Sequence, residues 1–173
     1  MDLKTLANDV LIRQISGLAR TAGAIGAGVG TAPWGGVGLL GGGRGAARGA
    51  AWGAKRMSLR EFERETTTHL PAEHARQVCA NLLKDRGQLL DGEASATLSE
   101  PATCGIVGSG LANLNPVFVA VQCKPTSDHS GGNSGTHIHL YCAAKEGLIK
   151  QHAAEKVGEA LFAEIKQLLN GLL

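Results

Sequence analysis

The sequence predicts an α+β protein in two parts, a Gly/Ala-rich helical hairpin followed by an antiparallel sheet with two helices on one face. Three observations carry this expectation. Thirteen of the 25 glycines lie between Thr21 and Arg56, so the first third of the chain differs in composition from the rest. Two later segments repeat apolar residues at helical intervals. Between those segments, short apolar and β-branched runs are separated by Gly, Pro, Asn and Ser clusters, the punctuation of a sheet. A chain of 173 residues accommodates one ordinary domain and an appendage.

Residues 1–20 read as an amphipathic helix. Leu3, Leu6, Val10, Leu11 and Leu18 recur at helical intervals, and Asp2 stands near the positive helix N-terminus. Residues 21–43 then carry no charge, and their length suffices for a hydrocarbon core of about 30 Å. Ten of them are glycine, however, and the strongly apolar or aromatic ones are Ile25, Val29, Trp34, Val37, Leu39 and Leu40. Pro33 cannot continue a helix and its glycine neighbours tolerate a turn, so a hairpin is expected rather than one straight span.

Beyond the turn, Gly41, Gly45, Gly49 and Gly53 recur every four residues among alanines. On a helix this spacing makes a flat stripe that lets a second backbone approach closely, and Gly26 and Gly30 offer the same device before the turn. Glycine costs about 1 kcal/mol per helical position relative to alanine, so such a helix needs a packed partner. The alternative is a flexible low-complexity linker. The run Gly23, Gly26, Gly28 and Gly30 in AGAIGAGVG resembles the glycine-rich packing helix of rotary ATPase c-subunits over about ten residues. The resemblance implies close packing alone, because Val37 to Gly53 holds no Asp or Glu to carry a proton.

Residues 57–173 read as a compact domain. Phe62 to His69 is threonine-rich and is expected as a strand, although Ser58 and Glu61 also fit a helix capping box. A helix starts after Pro71, carries Ala75, Val78, Cys79, Leu82 and Leu83 on one face, and ends at Gly87. Strands follow over Gln88 to Gly92, Thr103 to Ser109, Val117 to Lys124 and Thr136 to Ala143. The last helix is expected from near Lys145, with Ile149, Ala153, Val157, Leu161, Ile165 and Leu168 inward and Asn170 and Gly171 at its end. The order β-α-β-β-β-β-α resembles helix-grip and related α+β sandwiches, a likeness of layout that implies no activity.

Candidate chemistry is sparse. Alternation along Thr136 to Cys142 sends His137, His139 and Tyr141 to one face. Pairing Cys123 with Thr136 and Val119 with Leu140 adds Phe118 to that face, which reads as a protein-contact patch or a solvated sheet surface. A zinc site needs three or four ligands, and nothing in the spacing fixes a third beside the two histidines, so no metal is expected. No nucleophile has an evident base, Cys79 sits on an apolar helix face, and neither a cofactor nor a small-molecule substrate is indicated. A net charge of +2 with 3% aromatic residues argues against a nucleic-acid partner.

Basicity is local instead. Lys4, Arg13 and Arg20 precede the uncharged stretch, and Arg44, Arg48, Lys55 and Arg56 follow it. These flanks fit a shallow hairpin with both ends at an anionic leaflet, with Trp34, Arg44, Arg48 and Trp52 at the interface. The functional expectation is a non-enzymatic, membrane-associated homo-oligomer that packs through its glycines and holds its α+β domain on the cytoplasmic side. Two alternatives stand beside it: a soluble oligomeric assembly protein, and a small ligand- or metal-binding α+β domain with a Gly-rich tail.

Overall fold

The computed structural model describes residues 1–30, 37–90, 92, 96–109, 115–126, 135–146 and 151–171; for 22–44 and 46, side-chain surroundings lie outside the description. The elements are α1 (Leu3–Gly30), α2 (Val37–Arg56), β1 (Ser58–Thr68), α3 (Ala72–Arg86), β2 (Gly87–Leu89), β3 (Thr103–Ser109), β4 (Asn115–Thr126), β5 (Gly135–Glu146) and α4 (Ala153–Asn170). The five strands form one antiparallel sheet in the order β1-β5-β4-β3-β2. β4 and β5 are central and carry the longest buried runs.

One face of the sheet takes α3 and α4. Val117, Val119, Val121 and Cys123 of β4 and Ile138, Leu140, Cys142 and Ala144 of β5 meet Cys79, Leu82 and Leu83 of α3 and Leu161, Ile165 and Leu169 of α4. Period-two alternation on the strands and period-3.6 spacing on the helices converge on this core. The inner face of α4 keeps the expected Ala153, Leu161 and Ile165 buried and Val157 against the core, but it also takes in Ala154, Gly158 and Leu169, while Leu168 is exposed. The cause is Gly158, where an added Cβ would lie 2.2 Å from the Phe62 ring; having none, α4 turns this face onto β1.

The start of α4 also differs. Lys145 and Glu146 continue β5, because β1 pairs with them there, Leu59 opposite Lys145 and Ser58 opposite Glu146. Ile149, expected on the helix face, lies outside the described residues. The helix begins after His152, whose φ of 53° turns the chain. The buried Glu146 carboxylate accepts the Ala153 backbone N–H at 2.9 Å, satisfying one orphan donor with a negative charge at the helix N-terminus.

The second face of the sheet is covered by the first third of α1. Leu6, Ala7 and Leu11 are buried against Cys104, Ile106, Phe118, Ala120, Tyr141 and Ala143. Asp2 caps this helix by accepting the Thr5 N–H at 2.7 Å. The protein is therefore a three-layer stack, α3 and α4 on one side of the sheet and α1 on the other. α1 has 28 residues, a length of about 42 Å, so beyond Leu11 it continues for about 29 Å alongside α2. Six residues join the two helices, so the pair is antiparallel.

Candidate functional site

The face expected as a contact patch is a contact face, but within the chain. Phe118 is 0% and Tyr141 2% exposed, because the apolar side of α1 lies over them, and their rings meet edge to face at 6.3 Å. This corrects the reading of Phe118 and Tyr141 as a free surface. The amphipathic pattern of residues 1–20 is spent on the sheet for its first three turns.

Polar groups fasten that contact. The Tyr141 hydroxyl donates to Glu61 at 2.8 Å, and Lys4 Nζ donates to the other Glu61 oxygen at 2.8 Å. Burial and then the Glu61 carboxylate push the Tyr141 phenol far up, so it stays a neutral donor. Burial alone raises Glu61, but the hydrogen bonds from Lys4 and Tyr141 outweigh it and hold the carboxyl below the ordinary glutamate value. The hydrogen bond to Glu61 raises Lys4.

Past the N-terminal end of α1 the same sheet face turns polar. His139 stands 3.4 Å from Glu63 and 3.3 Å from the buried Gln122, His137 stands 3.4 Å from Glu65, and Lys124 pairs with Glu100 at 2.6 Å. Glu61, Glu63 and Glu65 come from β1, whose pairing with β5 sets them beside Tyr141, His139 and His137. These carboxylates were missed in the sequence, although their period-two spacing in a threonine-rich strand signals one sheet face. The row is an open array of ion pairs and hydrogen bonds. Among the described residues, no three His, Cys, Asp or Glu side chains gather as a metal ion requires.

The second region is the outward side of α2. At 100° per residue, Ala47, Ala50, Ala51 and Ala54 share one side, and all are half-buried or buried. Gly45 and Gly49 lie on the opposite side and are exposed, with Gly53 half-buried at its margin; a Cβ on any of the three meets nothing within 4 Å. Among the described residues, the side of α2 turned inward thus carries alanines, and Gly45 and Gly49 meet no neighbour. Nor is the stripe bare along its length. Trp52 and Arg56 project from the same side, Trp52 60% exposed with the Arg56 guanidinium 3.6 Å above its ring. Arg48 is exposed beside them, and α2 carries no acidic residue.

Of the other residues singled out, Gly26 and Gly30 lie in α1 and Gly41 and Arg44 in α2, but their surroundings are outside the described residues, as is Trp34 altogether. On the far side of the molecule, a groove of about 950 Å³ runs between α3 and α4, lined by Val78, Leu82 and Leu168 and edged by the two-armed Arg86–Glu164 ion pair.

The fold and its faces define an α+β sheet protein whose second face is roofed by one arm of a helical hairpin. No protein-family model and no curated protein matches the chain. Among solved structures it is similar to Ara h 8.0201, with 11% identical residues, 66% of this chain and 99% of that chain covered, and a TM-score of 0.32. A likeness that loose transfers nothing of function. Among the described residues, no helix is long and apolar enough to cross a membrane.

Proposed function

We propose that this chain is a non-enzymatic, membrane-associated protein that self-assembles, with the α1–α2 hairpin as its docking element and the α+β body as the part it displays. The observation that carries the reading is the outward side of α2, where exposed glycines, an exposed Trp52 and only positive charges share one surface. Indole rings favour the headgroup level, and each basic residue near an anionic leaflet contributes about 1 kcal/mol. The uncharged run begins at Thr21, and the part of it that lies in α1, residues 21–30, is about 15 Å long, a depth suited to one leaflet rather than a full crossing. Self-association would use Gly45 and Gly49, which none of the described residues covers.

The test is sedimentation of the full chain with vesicles of neutral lipid alone and of neutral lipid with a phosphatidylserine fraction. The protein is expected to pellet with the anionic vesicles, to lose that binding when Arg48 and Arg56 become glutamate, and to lose it when Leu39 and Leu40 become glutamate. Full-length protein that stays in the supernatant with both vesicle types, as a monomer, removes the proposal. Self-association with no lipid dependence favours the soluble assembly reading instead.

A further inference from the structure

The sheet ends at β1. This strand pairs with β5 over its 11 residues without a bulge, and among the described residues no strand lies on its other side. Every second residue of β1 therefore turns its N–H and C=O outward. The strand holds neither proline nor glycine, and Arg60, Glu61, Glu63, Arg64, Glu65 and Thr67 are exposed. An edge of that length is a template for a further strand unless its side chains refuse one. At the opposite edge, β2 has only 3 residues.

The charges of β1 refuse a second copy. Two copies of one strand joined edge to edge are related by a two-fold axis perpendicular to the sheet, so opposed residues share a face and every register centres on one residue. Centred on Glu61, Glu63 or Glu65, a glutamate meets its own counterpart, and centred on Arg60 or Arg64, an arginine does. Centred on Phe62, Glu61 meets Glu63 and Arg60 meets Arg64. Like charges directly opposite are destabilising in each of these registers.

The same side chains suit a different strand. Glu61 is taken by Lys4 and Tyr141, whereas Glu63 and Glu65 have only His139 and His137, each at 3.4 Å on the β5 side, as partners among the described residues. Their side chains stay 58% and 63% exposed. We propose that the outer edge of β1 docks an extended segment of another protein, which adds to the sheet as a further strand and carries lysine or arginine at alternate positions opposite Glu63 and Glu65. Main-chain hydrogen bonds hold the segment, and its alternate basic side chains select it. Directly opposed Cβ atoms in an added antiparallel strand lie about 4.5–5.5 Å apart, within reach of a lysine-to-glutamate pair. The intervening residues of the segment stand opposite Phe62 and Arg64. Phe62 is buried against Gly158, and Arg64 is held by Glu159 at 2.8 Å and by the Glu63 carbonyl at 3.0 Å, so uncharged β-branched residues such as threonine fit there.

The experiment titrates the full chain into a fluorescent peptide as long as β1, with lysine at three alternate central positions and threonine elsewhere, and reads anisotropy. One control has the same composition with its lysines adjacent, and a second is the alternating peptide N-methylated on its central residues. The alternating peptide should bind about tenfold more tightly than the adjacent one, because only alternation sets a lysine opposite each glutamate. N-methylation should abolish binding, and amide hydrogen exchange in β1 should slow in the complex. Glu63→Lys with Glu65→Lys should reverse the preference, toward a peptide with glutamate in place of lysine. Equal binding of the alternating and adjacent peptides, binding that survives N-methylation, or no binding overturns the proposal. So does protection of the β1 amides that grows with protein concentration in the absence of peptide, since a second copy would then hold the edge. These readings come from the unsubstituted protein, so they stand even if the variant fails to fold.

Discussion

Replacing Gly45 and Gly49 together with leucine separates what α2 does within one molecule from what it does between molecules. Among the described residues the change meets no obstacle, since a Cβ at either position has nothing within 4 Å and both residues are exposed. Each substitution removes a helix penalty of about 1 kcal/mol, so the hairpin gains about 2 kcal/mol. For a chain of this size that corresponds to a rise of about 4–8 °C in the thermal midpoint. Between molecules the sign reverses, because two leucines stand where a neighbouring backbone would approach, and a tenfold weakening of association costs about 1.4 kcal/mol. Thermal unfolding followed by circular dichroism reads the first effect. Light scattering across a concentration series reads the second. The paired alanine substitution, which gains the propensity with a single methyl per site, guards against leucines that associate through their own apolar surface. An oligomer of unchanged mass in the leucine variant would refute assembly through this stripe. A lowered thermal midpoint would refute the open face itself.

Two further outcomes test how α1 is held. Leu11→Ala removes a fully buried side chain from the α1–sheet contact and should cost about 2–5 kcal/mol in urea unfolding; a loss near zero would mean that α1 does not roof the sheet in solution. Glu61 has a folded-state value below its unfolded one, so its contribution is complete above the ordinary glutamate value and fades as pH falls through the lower folded value. Glu61→Gln should therefore lose stability at neutral pH and converge on the unsubstituted protein in acid, and a gap that persists in acid would contradict the charge argument.

Much of the body was legible because its signals are local. The strand over Thr103 to Ser109 and the helix after Pro71 lie where their periodicity puts them, and Gly87 ends that helix by opening β2 directly. The register of β4 on β5 is displaced by two from the expected pairing, with Cys123 opposite Ile138 and Val119 opposite Cys142. A shift of two preserves the faces, which is why Phe118, His137, His139 and Tyr141 do share one side. The start of α4 was misjudged because Lys145 and Glu146 suit a helix by propensity, while pairing with β1 keeps them extended.

What the sequence determined by itself is the material of each part: the α+β class, the glycine-rich hairpin with its basic flanks, and the alternation that sorts each strand into two faces. Those properties follow from spacing along the chain. Tertiary structure alone decided which surfaces meet. It placed the leucines of α1 over Phe118 and Tyr141, drew Glu61, Glu63 and Glu65 beside β5, and on the described part of α2 left Gly45 and Gly49 outward while burying Ala54. The physical reason is that periodicity specifies an apolar face but not its partner. The partner is fixed only when every apolar face in the chain is buried at once.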